Sequence, residues 1–175
     1  YKRQTTNNAA RQRQVSFLST LYVSEARIAV KSNSGIHSLS QLRGKRIAAT
    51  TGTTSIQQLR THESVRGMDF HEIFGPDHGA SFLLLESGQA DALVMDDMIL
   101  AGLIGSARNP SDYRIVGEAI SFEPVGIMVR KDDLSFKKLA DDTIADMLKT
   151  GELSRIYDKW FLQSIPPRSI RLNLP

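Results

Sequence analysis

The chain has 175 residues, of which 41% are hydrophobic and 23% charged, with a formal net charge of +3 and no cysteine. This balance is typical of a globular protein, long enough for one domain or for one lobe plus part of another. The absence of cysteine excludes disulfides, zinc–thiolate sites and thiol nucleophiles. No run of ~18 apolar residues occurs, which excludes a transmembrane helix in this sequence. The basic residues form no stripe of the kind that binds nucleic acid.

The first 30 residues predict a polar start followed by two short strands. The chain begins with polar residues and lacks the apolar core of a signal peptide. Residues 5–14 predict a turn and a short helix, and the apolar runs 17–23 and 26–30 are strand-like.

From residue 45 onward, short β-rich runs alternate with helical patterns, which predicts βαβ units and a mainly parallel sheet. The predicted strands are residues 45–50, 69–74, 90–95 and 113–117, and the predicted helices are 53–66, 79–87 and 98–106. A further apolar strand at 126–130, helices at 134–150 and 152–161, and an irregular tail from 164 follow. We therefore expect a compact α/β lobe over roughly residues 27–120, whose flanks are too short to form a domain of their own.

The segment 46–55 reads as a buried strand, a glycine turn at Gly52 and a helix opened by hydroxyl residues. The first turn of a helix has unpaired N–H groups and the positive end of the helix dipole, so it favours anions. Thr53 and Thr54 could cap those groups or donate to a carboxylate. Many α/β loops also need a glycine here simply to turn.

Asp96 and His78 both follow predicted strands, at the edge where a parallel sheet collects ligands. Asp96 could accept a hydrogen bond from an ammonium group, but Asp96 or Asp97 could equally cap the next helix. His78 could donate to a second carboxylate, although a loop histidine is often a bystander.

Arg11 lies five residues after Thr6 at the start of the short helical segment. A guanidinium with a nearby hydroxyl suits bidentate recognition of a carboxylate. The alternative is an ordinary exposed arginine.

The sequence predicts no catalytic residue, no metal site and no cofactor. It has no Gly-x-Ser-x-Gly elbow, no His/Asp/Glu set with metal-ligand spacing, and no lysine in the Gly-Thr-Thr-Ser turn that would make it a phosphate loop.

Taken together, the motifs resemble the periplasmic amino-acid-binding proteins of ABC importers, and most of all their glutamate/aspartate-binding members. The matching text begins with Thr-Thr-Asn-Asn-x-x-Arg-Gln-x-Gln at 5–14 and Leu-x-Gly-Lys-x-x-x-x-Thr-x-Gly-Thr-Thr-Ser at 42–55. It continues with Asp-His-Gly-x-Ser-Phe-x-x-Leu-Glu-Ser-Gly at 77–88, Met-Asp-Asp at 95–97, Val-Arg-Lys-Asp-Asp at 129–133, Phe-Lys-Lys-Leu at 136–139 and Lys-Trp-Phe…Ile-Pro-Pro at 159–167.

This resemblance implies an α/β, type II periplasmic-binding-protein fold with one complete parallel-sheet lobe plus the C-terminal part of the other lobe. Residues 1–24 would be a remnant of lobe 1 and the first crossover, 25–122 lobe 2, and 123–175 the second crossover and C-terminal helices. Such proteins close on one amino acid in the cleft between lobes, are periplasmic and deliver their cargo to an inner-membrane permease.

The resemblance also implies roles for the candidate residues. Arg11 would clamp the α-carboxylate of the ligand with help from Thr6, and Thr54 would add a donor at the helix start. Asp96 would accept from the α-ammonium group, and His78 would contact the side-chain carboxylate of glutamate or aspartate.

Two departures from the family pattern lead to further expectations. About a hundred residues of lobe 1 that family members carry before the point matching Tyr1 are not in this chain, and Gln4 stands where a ligand-binding serine is expected. We therefore expect an N-terminally truncated chain that binds glutamate weakly or not at all, because each lost charge-assisted hydrogen bond contributes roughly 1.5–3 kcal/mol. Uncovered apolar surface and strand edge predict self-association or strand exchange.

Two alternatives remain open from the sequence. The same fold serves as the ligand-sensing domain of membrane receptors and histidine kinases, which a transmembrane helix after residue 175 would favour. It also serves enzymes such as cyclohexadienyl-type dehydratases, for which His78 and Asp96 would be the acid–base pair.

Overall fold

The computed structural model describes residues 4–62 and 65–162, which form two compact units. Unit 2 is the continuous stretch Glu25–Phe122, and unit 1 is built from the chain before and after it, residues 4–24 and 123–162 of the described chain. The chain passes between the units twice, inside the strands β3 (Tyr22–Lys31) and β7 (Tyr113–Val129).

Unit 2 has a mixed five-stranded sheet in the order β7-β3-β6-β4-β5. The additional strands are β4 (Arg46–Thr50), β5 (His71–Gly75) and β6 (Ala92–Asp96), and the helices between and after them are α2 (Ser55–Thr61), α3 (His78–Glu86) and α4 (Asp97–Ser106). Strands β5 and β6 both run parallel to β4, as the βαβ pattern predicts, with Thr50 opposite Gly75 and Ile47 opposite Ala92.

Strand β3 departs from the predicted parallel arrangement. It runs antiparallel to β6, with Ala26 opposite Asp96 and Val30 opposite Ala92. A strand buried on both faces is a run of apolar residues whichever way its neighbour runs, so hydrophobic pattern alone does not give its direction.

The core of unit 2 lies on both faces of this sheet, because successive strand residues point to opposite sides. Ala49 belongs to one apolar cluster and its neighbour Ala48 to the other. Helix α2 covers the first cluster, and α3 and α4 cover the second. The largest fully buried side chains of unit 2 are Ile28, Leu39, Leu42, Ile47, Leu59, Leu85, Leu93, Met95 and Leu100.

An ion pair between Arg46 and Asp91 lies at the amino edge of this sheet. The backbone N–H of Arg46 donates to Asp91 at 2.9 Å, and Nη2 of the same arginine donates to the other carboxylate oxygen at 2.8 Å. The hydrogen bond from the guanidinium, against a smaller opposing effect of burial, lowers the pKa of Asp91 from its ordinary value.

In unit 1, two short strands pair with the C-terminal part of β7. Strand β1 (Gln4–Thr6) is antiparallel to it with Thr6 opposite Val125, and β2 (Ser16–Phe17) pairs with Val129 and Met128. The helices of unit 1 are α1 (Ala9–Gln12), α5 (Leu134–Lys149) and α6 (Glu152–Tyr157), and the last described residues, Asp158–Leu162, form a π-helical turn.

Helix α5 shows much of its apolar surface to solvent. Ile144 is its one buried residue, whereas Leu134 is 71%, Phe136 52% and Leu139 66% exposed. Asp141 fixes the helix to the segment after β2 by accepting from the backbone N–H of Ser19 at 2.7 Å and from its hydroxyl at 3.0 Å.

Several predicted boundaries differ from the observed ones. The strands predicted at 113–117 and 126–130 are one continuous strand, β7, and the helix predicted over 53–66 ends at Thr61, where His62 turns to an extended conformation. The predicted tail 164–175 lies outside the described residues.

Candidate functional site

The carboxyl edge of the unit 2 sheet gathers four of the predicted site residues. Parallel strands β4, β5 and β6 all end at this edge, and Thr50 of β4 is in register with Gly75 of β5. The turn carrying Thr53 and Thr54 follows β4, His78 comes three residues after β5, and Asp96 is the last residue of β6. Ligands of open α/β sheets bind at this kind of edge.

The Thr53–Thr54 turn is fixed by hydrogen bonds to the end of β4. Thr53 donates to the carbonyl of Thr50 through its backbone N–H at 3.2 Å and through its hydroxyl at 2.8 Å. Gly52 has φ 78°, a conformation that costs a side-chain-bearing residue more than it costs glycine. Thr54 is the N-cap of α2, but its hydroxyl makes no capping hydrogen bond.

His78 is the first residue of α3, and its neighbour Asp77 caps the helix. The Asp77 carboxylate accepts from the backbone N–H of Ala80 at 2.8 Å. The His78 ring is partly buried, with Nδ1 3.1 Å from the hydroxyl of Thr50. The capping role is thus filled by Asp77, and the imidazole is held against the end of β4.

The Thr50 hydroxyl that contacts His78 is also hydrogen-bonded to the hydroxyl of Ser81. Thr50 is 5% exposed and Ser81 is fully buried, and their hydroxyl oxygens lie 2.8 Å apart. The Ser81 hydroxyl oxygen also lies 2.8 Å from the carbonyl oxygen of Asp77 and 3.2 Å from that of Ala49, and its one proton can be donated to either. Buried hydroxyls need such partners, since an unpaired one costs free energy.

Gly75 allows α3 to approach β5 closely enough for this network. A Cβ at Gly75 would lie 2.5 Å from the Ser81 hydroxyl oxygen and 2.6 Å from the Ser81 backbone nitrogen. Any larger residue would therefore collide with helix backbone.

The two adjacent aspartates at the start of α4 have different roles. Asp97 is 5% exposed, and its Oδ1 accepts from the backbone N–H of Glu25 at 3.2 Å and of Met98 at 2.8 Å. Asp96 occupies the N-cap position without a capping hydrogen bond from its side chain, and it is only partly buried. The sequence left open which of the two aspartates caps α4. The carboxylate of Asp97 accepts from backbone N–H groups, whereas that of Asp96 makes no capping hydrogen bond.

In unit 1, the structure brings Arg11 and Thr6 together. Nη1 of Arg11 donates to the carbonyl oxygen of Thr6 at 2.9 Å, and Asn8 caps α1 by accepting from the backbone N–H of Arg11 at 2.9 Å. The arginine therefore uses the backbone of Thr6, which is itself 7% exposed at the end of β1. One guanidinium nitrogen is engaged in this contact, and it orients the side chain.

Sequence reasoning missed Thr50 and Ser81. Both carry a faint signal: Thr50 is the one polar residue among the four buried positions of β4, and Ser81 is a polar residue on the buried face that Phe82 and Leu85 also line. A hydroxyl in an apolar pattern is the feature that could have identified them.

The described part of the chain contains neither a candidate metal-binding cluster nor a candidate membrane-spanning helix. Within residues 4–62 and 65–162, no group of three or more His, Asp or Glu side chains could hold a metal ion. No helix among these residues is long and apolar enough to span a bilayer.

Comparison with known proteins gives concordant matches over nearly the whole chain. The sequence model of the bacterial extracellular solute-binding proteins, family 3, matches residues 3–163. The L-glutamate/L-aspartate-binding protein of Pseudomonas aeruginosa is 43% identical over 171 residues, which are 98% of this chain and 57% of that protein. The glutamate/aspartate import solute-binding protein of Escherichia coli is 43% identical over 169 residues, 97% of this chain and 56% of that protein.

The fold is also shared with solved structures. The GluR0 ligand-binding core from Nostoc punctiforme, in complex with L-glutamate, superimposes with a TM-score of 0.73 at 26% identity, over 89% of this chain and 69% of that one. The chain thus has a periplasmic-binding-protein fold, and it spans a little more than half the length of the curated relatives it matches.

Proposed function

Because the chain belongs to family 3 of the bacterial extracellular solute-binding proteins, we propose that it captures L-glutamate or L-aspartate for an amino-acid ABC importer. The cargo is bound in the periplasm and passed unchanged to a membrane permease, so no catalytic step is part of the proposal. The observation that carries it is the 43% identity to an L-glutamate/L-aspartate-binding protein over 98% of this chain.

The placement of charged and hydroxyl side chains supports an amino-acid ligand. Asp96, at the carboxyl edge of unit 2, is the acceptor for the α-ammonium group, and Thr53 and Thr54 at the same edge offer hydroxyl donors to the α-carboxylate. Arg11, whose Nη1 donates to the carbonyl oxygen of Thr6, is proposed to bind a ligand carboxylate on the strength of the family resemblance alone. The assignments in unit 2 rest on the family resemblance together with the positions of the residues.

His78 is the group proposed for the ligand's side chain. It lies at the same edge as Asp96, and its ring is oriented by a hydrogen bond to Thr50 rather than left to rotate. An imidazolium N–H donates well to a carboxylate, which fits an acidic ligand.

Nitrogen–proton correlation NMR of the chain, titrated with L-glutamate, L-aspartate and L-glutamine, tests the proposal and detects weak binding as well as tight binding. We expect the acidic amino acids to shift the amide signals of residues 50–54, 77–81 and 96–97 selectively. Asp96→Asn and His78→Gln should weaken binding by roughly tenfold to a hundredfold each, since a charge-assisted hydrogen bond contributes roughly 1.5–3 kcal/mol.

The chain offers matched controls in the same unit. His71 is exposed at the amino end of β5, and Asp69 is exposed just before that strand, so both are far along the sheet from the carboxyl edge. His71→Gln and Asp69→Asn should leave the titrations unchanged. Equal losses from site and control variants, or shifts confined to the amino edge, would overturn the proposed site.

A further inference from the structure

Three side chains of unit 2 form a hydrogen-bonded series that ends at a backbone carbonyl. Nδ1 of His78 lies 3.1 Å from the Thr50 hydroxyl, which lies 2.8 Å from the Ser81 hydroxyl, which lies 2.8 Å from the carbonyl oxygen of Asp77. Thr50 and Ser81 are both buried, so their hydroxyl protons are directed to protein acceptors.

The direction of these hydrogen bonds follows from counting protons. A hydroxyl has one proton to donate, and a carbonyl oxygen can only accept. Ser81 therefore directs its proton to the carbonyl of Asp77 or of Ala49, and it meets Thr50 as an acceptor. The proton of Thr50 goes to Ser81, which leaves the Thr50 oxygen to accept from Nδ1–H of His78.

We propose that Thr50, held by Ser81, is a positioning residue that keeps the proton of His78 on Nδ1 and thereby sets which ligand side chain Nε2 can meet. This inference rests on the proposed function, in which His78 contacts the side chain of the bound amino acid. With Nδ1–H fixed, Nε2 of the neutral ring is an acceptor and Nε2 of the charged ring is a donor.

The consequence is a ligand preference that depends on the charge of one ring. The charged ring donates Nε2–H to a side-chain carboxylate, as in glutamate. The neutral ring accepts at Nε2 and so matches the NH₂ group of an amide side chain, as in glutamine, while it opposes a carboxylate. Binding an acidic amino acid therefore takes up a proton wherever the unliganded ring is neutral.

Other ionisable groups lie on the elements packed against α3. At the carboxyl edge these are Asp77, Asp96 and Asp97, and at the far ends of β4, β5 and α3 they are Arg46, His71, Glu72 and Glu86. Thr50→Val and Thr50→Ser leave all of them in place. Thr50→Val replaces the hydroxyl by a methyl group, and Thr50→Ser keeps the hydroxyl but loses the methyl group. A change seen in Thr50→Val and absent in Thr50→Ser therefore reports the hydroxyl.

The first test is the protonation pattern of the ring, read by long-range nitrogen–proton NMR at alkaline pH on the chain as it is, without ligand. The His78 signals, identified by their loss in His78→Gln, should show Nδ1 carrying the proton in the wild type and in Thr50→Ser. In Thr50→Val the proton should redistribute toward Nε2. An unprotonated Nδ1 in the wild type would overturn the proposal even if Thr50→Val fails to fold, since only the signal assignment from His78→Gln is then needed.

The second test is the ratio of glutamate to glutamine affinity as a function of pH, measured by calorimetry in buffers of different ionisation enthalpy. The ratio should fall by about tenfold per pH unit in the alkaline range where the unliganded ring is neutral, as one coupled proton requires. This slope should persist in Thr50→Ser and flatten in Thr50→Val, whose neutral ring can place its proton on Nε2. A merely structural role of Thr50 would lower both affinities and leave the slope.

The two tests separate this inference from the proposed function. Glutamate binding with an unprotonated Nδ1 refutes the positioning role and leaves the proposed function standing. A protonated Nδ1, together with glutamate- or glutamine-induced amide shifts that are confined to residues away from the carboxyl edge, refutes the proposed site and with it the ligand preference drawn from the ring.

Discussion

Substitution of Gly75 tests how closely α3 packs against the sheet, and therefore also tests the position of His78, the first residue of α3. In Gly75→Ala the new Cβ would lie 2.6 Å from the backbone nitrogen of Ser81, whereas ordinary contact begins near 3.4 Å. Because the obstacle is helix backbone rather than the end of a flexible side chain, α3 must shift by about 0.8 Å. Overpacking of this kind typically costs about 1–3 kcal/mol, and a backbone obstacle places this case near the upper end.

The expected result is a loss of about 3 kcal/mol in the free energy of unfolding. Urea denaturation followed by far-UV circular dichroism measures it, and native-state hydrogen exchange of the β4 amides assigns the loss to unit 2. The same shift should lengthen the contact between His78 and Thr50, so the ring signals of His78 should move as well.

Gly79→Ala is the matched control in the same helix. A Cβ there meets only the Asp77 carboxylate oxygen at 3.4 Å, and φ is not positive. Replacing a helical glycine by alanine should stabilise the protein by about 0.5–1 kcal/mol. If Gly75→Ala unfolds within 0.5 kcal/mol of the wild type, roughly the uncertainty of one contact energy, the close approach of α3 to β5 is wrong.

Three further predictions concern other parts of the chain. Asp97→Ala should cost about 1–3 kcal/mol in urea denaturation because it deprives the partly buried backbone N–H groups of Glu25 and Met98 of their acceptor. An equal effect of the exposed Asp69→Ala would show that the contact is unimportant. Hydrogen bonding from Arg46 lowers the pKa of Asp91 in the folded state. The ion pair therefore stabilises the protein above the unfolded-state pKa of Asp91, and this contribution is lost as the pH falls through the lower folded-state pKa. Arg46→Gln should reduce the drop in thermal midpoint on acidification, and an unchanged dependence of the midpoint on pH would contradict this. Self-association through the exposed apolar face of α5 is proposed, so Leu139→Lys should shift sedimentation toward the monomer, and a wild-type chain that is already monomeric refutes the idea.

The sequence was most informative where local chemistry and topology coincide. The strand, glycine turn and hydroxyl residues around Gly52 form as predicted, and the strand ends place Thr53, His78 and Asp96 at one edge because parallel neighbours of β4 end together. The resemblance to solute-binding proteins is confirmed by the family match over residues 3–163. Whether these side chains bind the ligand in the roles assigned stays a prediction.

What could not be predicted depends on contacts between distant residues. Gly117 and Pro124 are typical strand breakers, yet β7 runs through both from Tyr113 to Val129. Gly117 adopts a positive φ of 74° within the strand, a local distortion that neighbouring strands tolerate. The contact of Thr50 with Ser81, 31 residues later, leaves no trace in any local period.

The discontinuity of unit 1 has a consequence for how the polypeptide acquires its structure. The short strands β1 and β2 pair with β7, which follows nearly all of unit 2 in the sequence. The pairs that β3, β4, β5 and β6 form with one another need no residue of unit 1, so unit 2 can fold first. Residues 4–17 have no strand partner until β7 is in place, so this early segment stays open to proteolysis or to a chaperone until then.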